Sequence, residues 1–219
     1  MHLLDLISTL QTPYCEHLGL RSFTEPINAI SNLAFLFAAY LAMRQVRELP
    51  EISAGARLLP WSLAAVAIGS FLYHSFRSPI TYLIDILPLG AFMVLVICLS
   101  LRRLEAKIST VIIAGLTFLG LQIIALIYVP NNFLNGSTPY LVALSSIPPI
   151  MFLTSHHRNG LFSELATIAI LFAIALFFRS ADRAICSWLP IGTHFLWHIT
   201  SAIAAYHAVR FVIAIEMNE

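Results

Sequence analysis

Long apolar runs separated by short polar connections dominate this chain, and no other feature constrains its fold as strongly. Crossing the hydrocarbon core of a bilayer takes a helix of about 20 apolar residues. Helices laid on the runs give seven, at residues 26–47, 58–77, 80–101, 108–129, 139–155, 161–178 and 190–214, of which the fifth and sixth are short. The connections, such as "RQVRELPEISAGAR", "RRLEAK", "PNNFLNGSTP" and "SHHRNG", are brief and polar or rich in turn formers, and leave no room for a second domain. The expected fold is therefore all-α. It is a single integral membrane domain over residues 1–219, a seven-transmembrane-helix bundle with an extramembrane N-terminal segment over 1–25. Composition agrees, with 59% hydrophobic and 11% charged residues and a mean hydropathy of +0.85, far from the soluble globular range. A net charge of +1 without a basic run gives no reason to propose a nucleic-acid partner. The first 25 residues lack a basic n-region and cleavage site, so the first membrane helix is expected to act as its own signal.

Orientation follows from where Lys and Arg fall. Arg21, Arg77, Arg179 and Arg183 lie on the side of the N-terminus; Arg44, Arg47, Arg57, Arg102, Arg103, Lys107, Arg158 and Arg210 lie on the other. Eight against four predicts a multi-pass protein with a cytoplasmic C-terminus and an external, periplasmic or lumenal N-terminus.

Against this background, ionisable side chains inside the runs need a reason. Ser70 and His74 in "IGSFLYHSFR" are four apart and share a helix face, as do His194 and His198 in "GTHFLWHITS", followed on that face by Ser201. Asp85 sits in "PITYLIDILPLGAF", where a helix cap or a partner for Arg77 is the plainer role. A lone buried His is more often a hydrogen-bonded packing residue than a ligand. Depth changes the balance. His74 comes three residues before the end of the second predicted helix, Asp85 five residues into the third and His194 four residues into the seventh. All three fall within roughly 8 Å of the membrane face on the N-terminal side.

Three neutral imidazoles with an open fourth position are the ligand set of a catalytic zinc. Zinc would acidify a bound water into a nucleophile, Asp85 would orient that water and take its proton, and Ser70 would donate to a developing oxyanion. The implied chemistry is hydrolysis at an intramembrane zinc site formed by His74, His194 and His198 near the N-terminal-side face.

Around this level, Glu25, Asn28 and Asn32 follow helical spacing. They read either as a cap with interhelical hydrogen bonds or as a wall of the site, with oxygen ligands for Ca²⁺. Cys98 lies deep in the third helix and reads as a packing residue, whereas Cys15 and Cys186 fall on the predicted outer side. In an oxidising compartment these two would pair and tie the N-terminal segment to the entrance of the seventh helix; in a reducing one they would stay free. "NGS" at 135–137 matches a glycosylation acceptor on an outer loop, and His156 and His157 read as solvated loop residues on the opposite side.

The segments "YCE", "EPINAISN", "SFLYHSFRSPITYLIDILP" and "RSADRAICSWLPIGTHFLWHITSAIAAYH" together resemble the alkaline ceramidase family, within the seven-helix hydrolases related to the progestin and adipoQ receptors. The resemblance covers both ends of the chain and the second and third helices; the fourth to sixth match in hydropathy only. It implies zinc on His74, His194 and His198, Asp85 as the group that deprotonates the water, and Ser70 as the donor to the tetrahedral intermediate. It also implies a Cys15–Cys186 disulfide, an N-terminus outside the cytoplasm, and a membrane lipid substrate, ceramide or a related N-acyl lipid, cleaved to a fatty acid and an amine. The chain departs from the eukaryotic pattern at "PYCEHL", which keeps Glu16 and Glu25 without the other acidic residues. Glu16, Glu25 and Asn28 are thus expected to support the ligands or form a weak calcium site, and the compact loops suggest a bacterial member. The competing reading is a seven-helix receptor or transport protein with a structural zinc or a His/Asp proton relay. The scarcity of ionisable residues within helices four to six weighs against transport.

Overall fold

The computed structural model describes residues 11, 13–17, 19, 23–157 and 161–217. Arg21 and Arg158, both used in the charge count, and part of the "SHHRNG" connection lie outside them. The helices in chain order are α1 (Pro26–Ser31), α2 (Leu33–Arg47), α3 (Ala54–Phe76), α4 (Pro79–Arg103), α5 (Ile108–Tyr128), α6 (Thr138–Ser145), α7 (Ile147–His157), α8 (Phe162–Ala181) and α9 (His194–Met217). Six helical stretches are long and apolar enough to cross a membrane, counting α1 with α2 and running α8 on to Ile185. The described residues form no strand.

α3 begins four residues before its expected start and α8 ends three after its expected end, and three further differences have local reasons. The span expected at 139–155 divides into α6 and α7, each too short to cross alone. Pro148 and Pro149 have no N–H to give to the Leu144 and Ser145 carbonyls, so the helical ladder fails there. The first span breaks at Asn32, whose side-chain Nδ2 donates to the Asn28 carbonyl at 2.9 Å while its backbone N–H turns to Ala29 at 3.2 Å. Such capture of an i−4 carbonyl by a side chain competes with the helix. The last helix starts at His194 rather than 190, because Gly192 has a φ of +64° and residues before it form a turn. His194 is therefore the first residue of α9, not the fifth of a longer helix. His156 and His157, expected in a loop, close α7, although their side chains lie outside the described residues.

The C-terminal helix α9 is the hub, packing on α8 and α2 and touching α1, α3 and α4. Its buried Ala202, Ala204, Ala205 and Ala208 let the neighbouring backbones approach, the usual basis of helix association where lipid offers no hydrophobic drive. The α3–α4 pair is close for the same reason. A Cβ at Gly69 would collide with the Ile84 carbonyl and lie 3.3 Å from Asp85 Cα, so only glycine fits there. Outward faces carry Leu33, Phe37, Trp61, Ile113 and Leu116, all well exposed, which is the expected dress of a lipid-facing surface.

Candidate metal centre and active site

The site sits where α3 ends, α9 begins and α1 passes between them. His74 comes from the last turn of α3, His194 and His198 from the first two turns of α9, and all three are buried. Their ring centroids are 5.0, 4.8 and 4.6 Å apart, and one donor atom of each lies within 4.8 Å of the others. Packing of three imidazoles this closely in apolar surroundings requires that they be neutral and that their lone pairs find a partner.

Each ring is held from behind. His74 Nδ1 donates to Glu25 Oε2 at 2.5 Å. His198 Nδ1 lies 2.7 Å from Ser31 Oγ and 3.1 Å from the Asn28 carbonyl, which the break at Asn32 frees from the helical ladder. With Nδ1 engaged in both rings, Nε2 is left as the free donor atom, the arrangement by which second partners fix a ligating histidine. His194 is stacked on Tyr14, centroids 3.7 Å apart, and its buried Nδ1 has no partner among the described residues. Three buried imidazoles whose donor atoms converge in this way could hold a metal ion.

The surrounding chain holds these rings through its ends. The N–H groups of Thr24 and Glu25 bond the carbonyls of Ser75 and His74 at 3.2 and 3.0 Å, which caps α3 and lays Glu25 against His74. Glu25 also meets Arg77 at 3.3 Å, and Arg77 lies over the Tyr73 ring at 4.6 Å. Burial pushes the Glu25 carboxyl above its usual range, and Arg77 opposes that rise. At the other helix, Asp182 Oδ1 accepts from Thr193 N at 2.7 Å and His194 N at 2.9 Å, while Oδ2 accepts from Cys15 N at 3.0 Å. A carboxylate at the first turn of α9 matches the helix dipole and sets the starting point of His194. A Cβ at Gly192 would strike the same carboxylate, so the left-handed glycine is what lets it in. Cys15 and Cys186 form a disulfide across the same junction, with Cα atoms 5.2 Å apart.

Asp85 lies in the second turn of α4, where Gly69 of α3, the chain neighbour of Ser70, crosses it. It is not the cap of α4; Ser78 is, in a reciprocal capping box with Thr81. Arg77, the alternative partner considered for Asp85, pairs with Glu25.

The Glu16 oxygens accept from Ile27 N and Asn28 N, at 2.5 and 2.8 Å, so this residue caps α1. Burial pushes its carboxyl up and the two N–H groups pull it back. Asn28 Nδ2 reaches Glu25 Oε2 at 3.4 Å, and the Oδ1 atoms of Asn28 and Asn32 are buried without partners. Glu25 and Asn28 thus stand directly behind the histidines, where the helical stripe put them. "NGS" is not an exposed acceptor. Asn135 is buried and donates to the Arg179 carbonyl at 3.0 Å, and Ser137 is buried beside Ser180. Trp197 packs on Tyr140 and Phe172, and Cys98 borders a cavity against α5 at Gly115.

Sequence reasoning passed over Tyr14, Ser31, Asp182 and Arg179. The spacing of Ser31 and Asn28, three apart on the N-terminal stripe, could have pointed to Ser31. The other three depend on how the chain ends fold back. Arg179 was counted as a loop charge, but α8 continues to Ala181 and buries it.

A family model described as Ceramidase matches residues 8–219. No curated protein sequence matches the chain. A family of amide-bond hydrolases that takes a lipid such as ceramide accords with a polar site sunk into an apolar bundle. On the strength of a match over nearly its whole length, the chain belongs to the ceramidase family.

Proposed function

We propose that the protein is a zinc-dependent amidohydrolase of the membrane interior, cleaving ceramide or a related N-acyl lipid to a free fatty acid and an amine. The observation that carries this reading is the buried His74–His194–His198 cluster, with donor atoms within 4.8 Å and a hydrogen-bonded partner behind two of the rings. In the same reading the bundle has seven crossings, α6 and α7 sharing the fifth. The N-terminus lies outside the cytoplasm, in keeping with a disulfide at that end.

Bound zinc would supply a water acidified enough to attack at neutral pH. The remaining steps belong to the chain. Asp85 takes the proton of the attacking water and passes it to the departing nitrogen as the C–N bond breaks. Ser70, one helical turn from His74 and beside the crossing of Gly69 with Asp85, turns its hydroxyl toward the carbonyl oxygen as charge grows there. Glu25, through His74, and Ser31 with the Asn28 carbonyl, through His198, keep the imidazoles in one tautomer and one orientation. The Cys15–Cys186 bridge and Asp182 fix the height of His194 relative to His74.

The test is mass spectrometry of products after purified wild-type and Asp85→Asn protein are incubated with a panel of N-acyl lipids. Fatty acid and amine released in equal amounts by the wild type, and strongly reduced by the variant, are expected. Equal turnover by both would remove Asp85 from the mechanism, and no turnover of any amide would remove the reaction.

A further inference from the structure

Arg179 has no role in the chemistry above, yet it is the most unusual side chain in the bundle. It lies within α8, is 7% exposed, and among the described residues its side chain makes a single hydrogen bond, Nη1 to Tyr14 Oη at 2.8 Å. Its Nε is buried without a partner. Its guanidinium carbon sits 4.9 Å from the Tyr140 ring centroid, 5.5 Å from Tyr14 and 5.6 Å from Trp197. Among the described residues no carboxylate forms an ion pair with it. Asp182, three residues on, spends both oxygens on Thr193, His194 and Cys15. Rings soften the burial of a cation, but a guanidinium that never loses its charge and has a buried, unbonded Nε is suited to an anion.

The space beside it is shaped for a chain. A cavity of about 730 Å³ runs between α4 and α5, with Arg179, Tyr82 and Tyr140 at one end and Leu87, Gly90, Val94, Leu119, Ile123 and Leu126 along its walls. One cationic end and a long apolar wall describe the complement of a single-chain anionic amphiphile. The end with Arg179 is one ring away from the histidines, since the Tyr14 that accepts from Arg179 is the ring stacked on His194.

We infer that this cavity binds an ionised fatty acid, with its carboxylate on Arg179 and its chain between α4 and α5, and so holds the acid product after cleavage and before it returns to the bilayer. The inference rests on the hydrolase reading for where the acid comes from; binding itself does not depend on it. The uncharged amide of the substrate would gain little from Arg179, whereas the carboxylate made by hydrolysis can take a bidentate, charge-assisted contact.

The experiment is equilibrium binding at pH 8 to the full-length protein in discs of neutral phosphatidylcholine, with oleate and oleyl alcohol as probes. Wild type is expected to bind oleate at least about tenfold more tightly than the alcohol, and Arg179→Met to lose that difference. Arg179→Met also removes the hydrogen bond to Tyr14, so Gly90→Leu provides an independent arm. A Cβ at Gly90 has room, with its nearest neighbour 4.0 Å away, and the larger side chain is expected to weaken oleate while sparing octanoate. Equal binding of acid and alcohol by the wild type, or an Arg179→Met protein that keeps the preference, would overturn the proposal. So would loss of the preference in discs containing anionic phosphatidylglycerol, which would assign the arginine to a lipid headgroup. Selective oleate binding by a protein that cleaves no N-acyl lipid would support the site and sink the hydrolase reading; cleavage without selective binding would do the reverse.

Discussion

Two polar clusters sit at opposite ends of α9, and their bonding differs in kind. At the far end, Glu216 accepts from Ser53 N at 3.0 Å and Ser53 Oγ at 2.6 Å and meets Arg103 at 3.3 Å. Nearby His207 and Glu164 bond at 2.8 Å, with Arg210 alongside at 3.7 Å. No side-chain atom of these residues is left buried and unpaired. At the near end, Asn28 Oδ1, Asn32 Oδ1, Tyr73 Oη, Arg179 Nε and His194 Nδ1 lack a hydrogen-bond partner among the described residues. A buried polar group left unpaired is destabilising by about 1–3 kcal/mol, so five in one region mark a place organised around something other than protein. The far cluster clamps α3 and α4 onto α9; the near one gathers the three histidines that could hold a metal ion.

Removing one histidine from each end should separate the two clusters by the largest margin. His198→Ala is expected to drop hydrolysis to background and strip the metal, while His207→Ala on the same helix leaves both in place; activity assays with elemental analysis of each variant check this. Next in size is Asp85→Asn, expected to lower kcat by about 10²–10⁴-fold while metal content stays at the wild-type level. Glu25→Gln removes the carboxylate behind His74 and should weaken zinc about 10–100-fold in a chelator competition. Glu216→Gln, the matching change at the far end, should lower the melting temperature without changing zinc affinity. The smallest effect belongs to Ser53→Ala, which loses the cap of α3 and a donor to Glu216, for about 1 kcal/mol of stability and unchanged turnover.

Much of this was legible in the sequence, and the boundary is physical. Hydropathy marked the helices because lipid imposes a length, and 26–47 and 108–129 lie within a residue of the stretches that form. Helical spacing put His198 beside His194, and depth put His74 at their level. Spacing could not reveal the break at Asn32, which turns the Asn28 carbonyl to His198, because a side chain there outcompetes the backbone. Nor could it foresee that Asp182 would cap α9, since that depends on a left-handed Gly192 and the path of residues 186–193. Asn135 misled for a similar reason: a motif says nothing of burial, and its amide is spent on the Arg179 carbonyl. Arg179 was hidden by an error of three residues in the end of α8.

In the proposed reading the near cluster is a zinc centre on which hydrolysis depends. Its most direct test is to measure zinc per chain and fatty acid release on the same preparation, before chelation, after chelation and after zinc is returned. About one zinc per chain, with release lost on chelation and restored on reloading, is the predicted result. Chelated, metal-free protein that releases fatty acid at the full rate would contradict it.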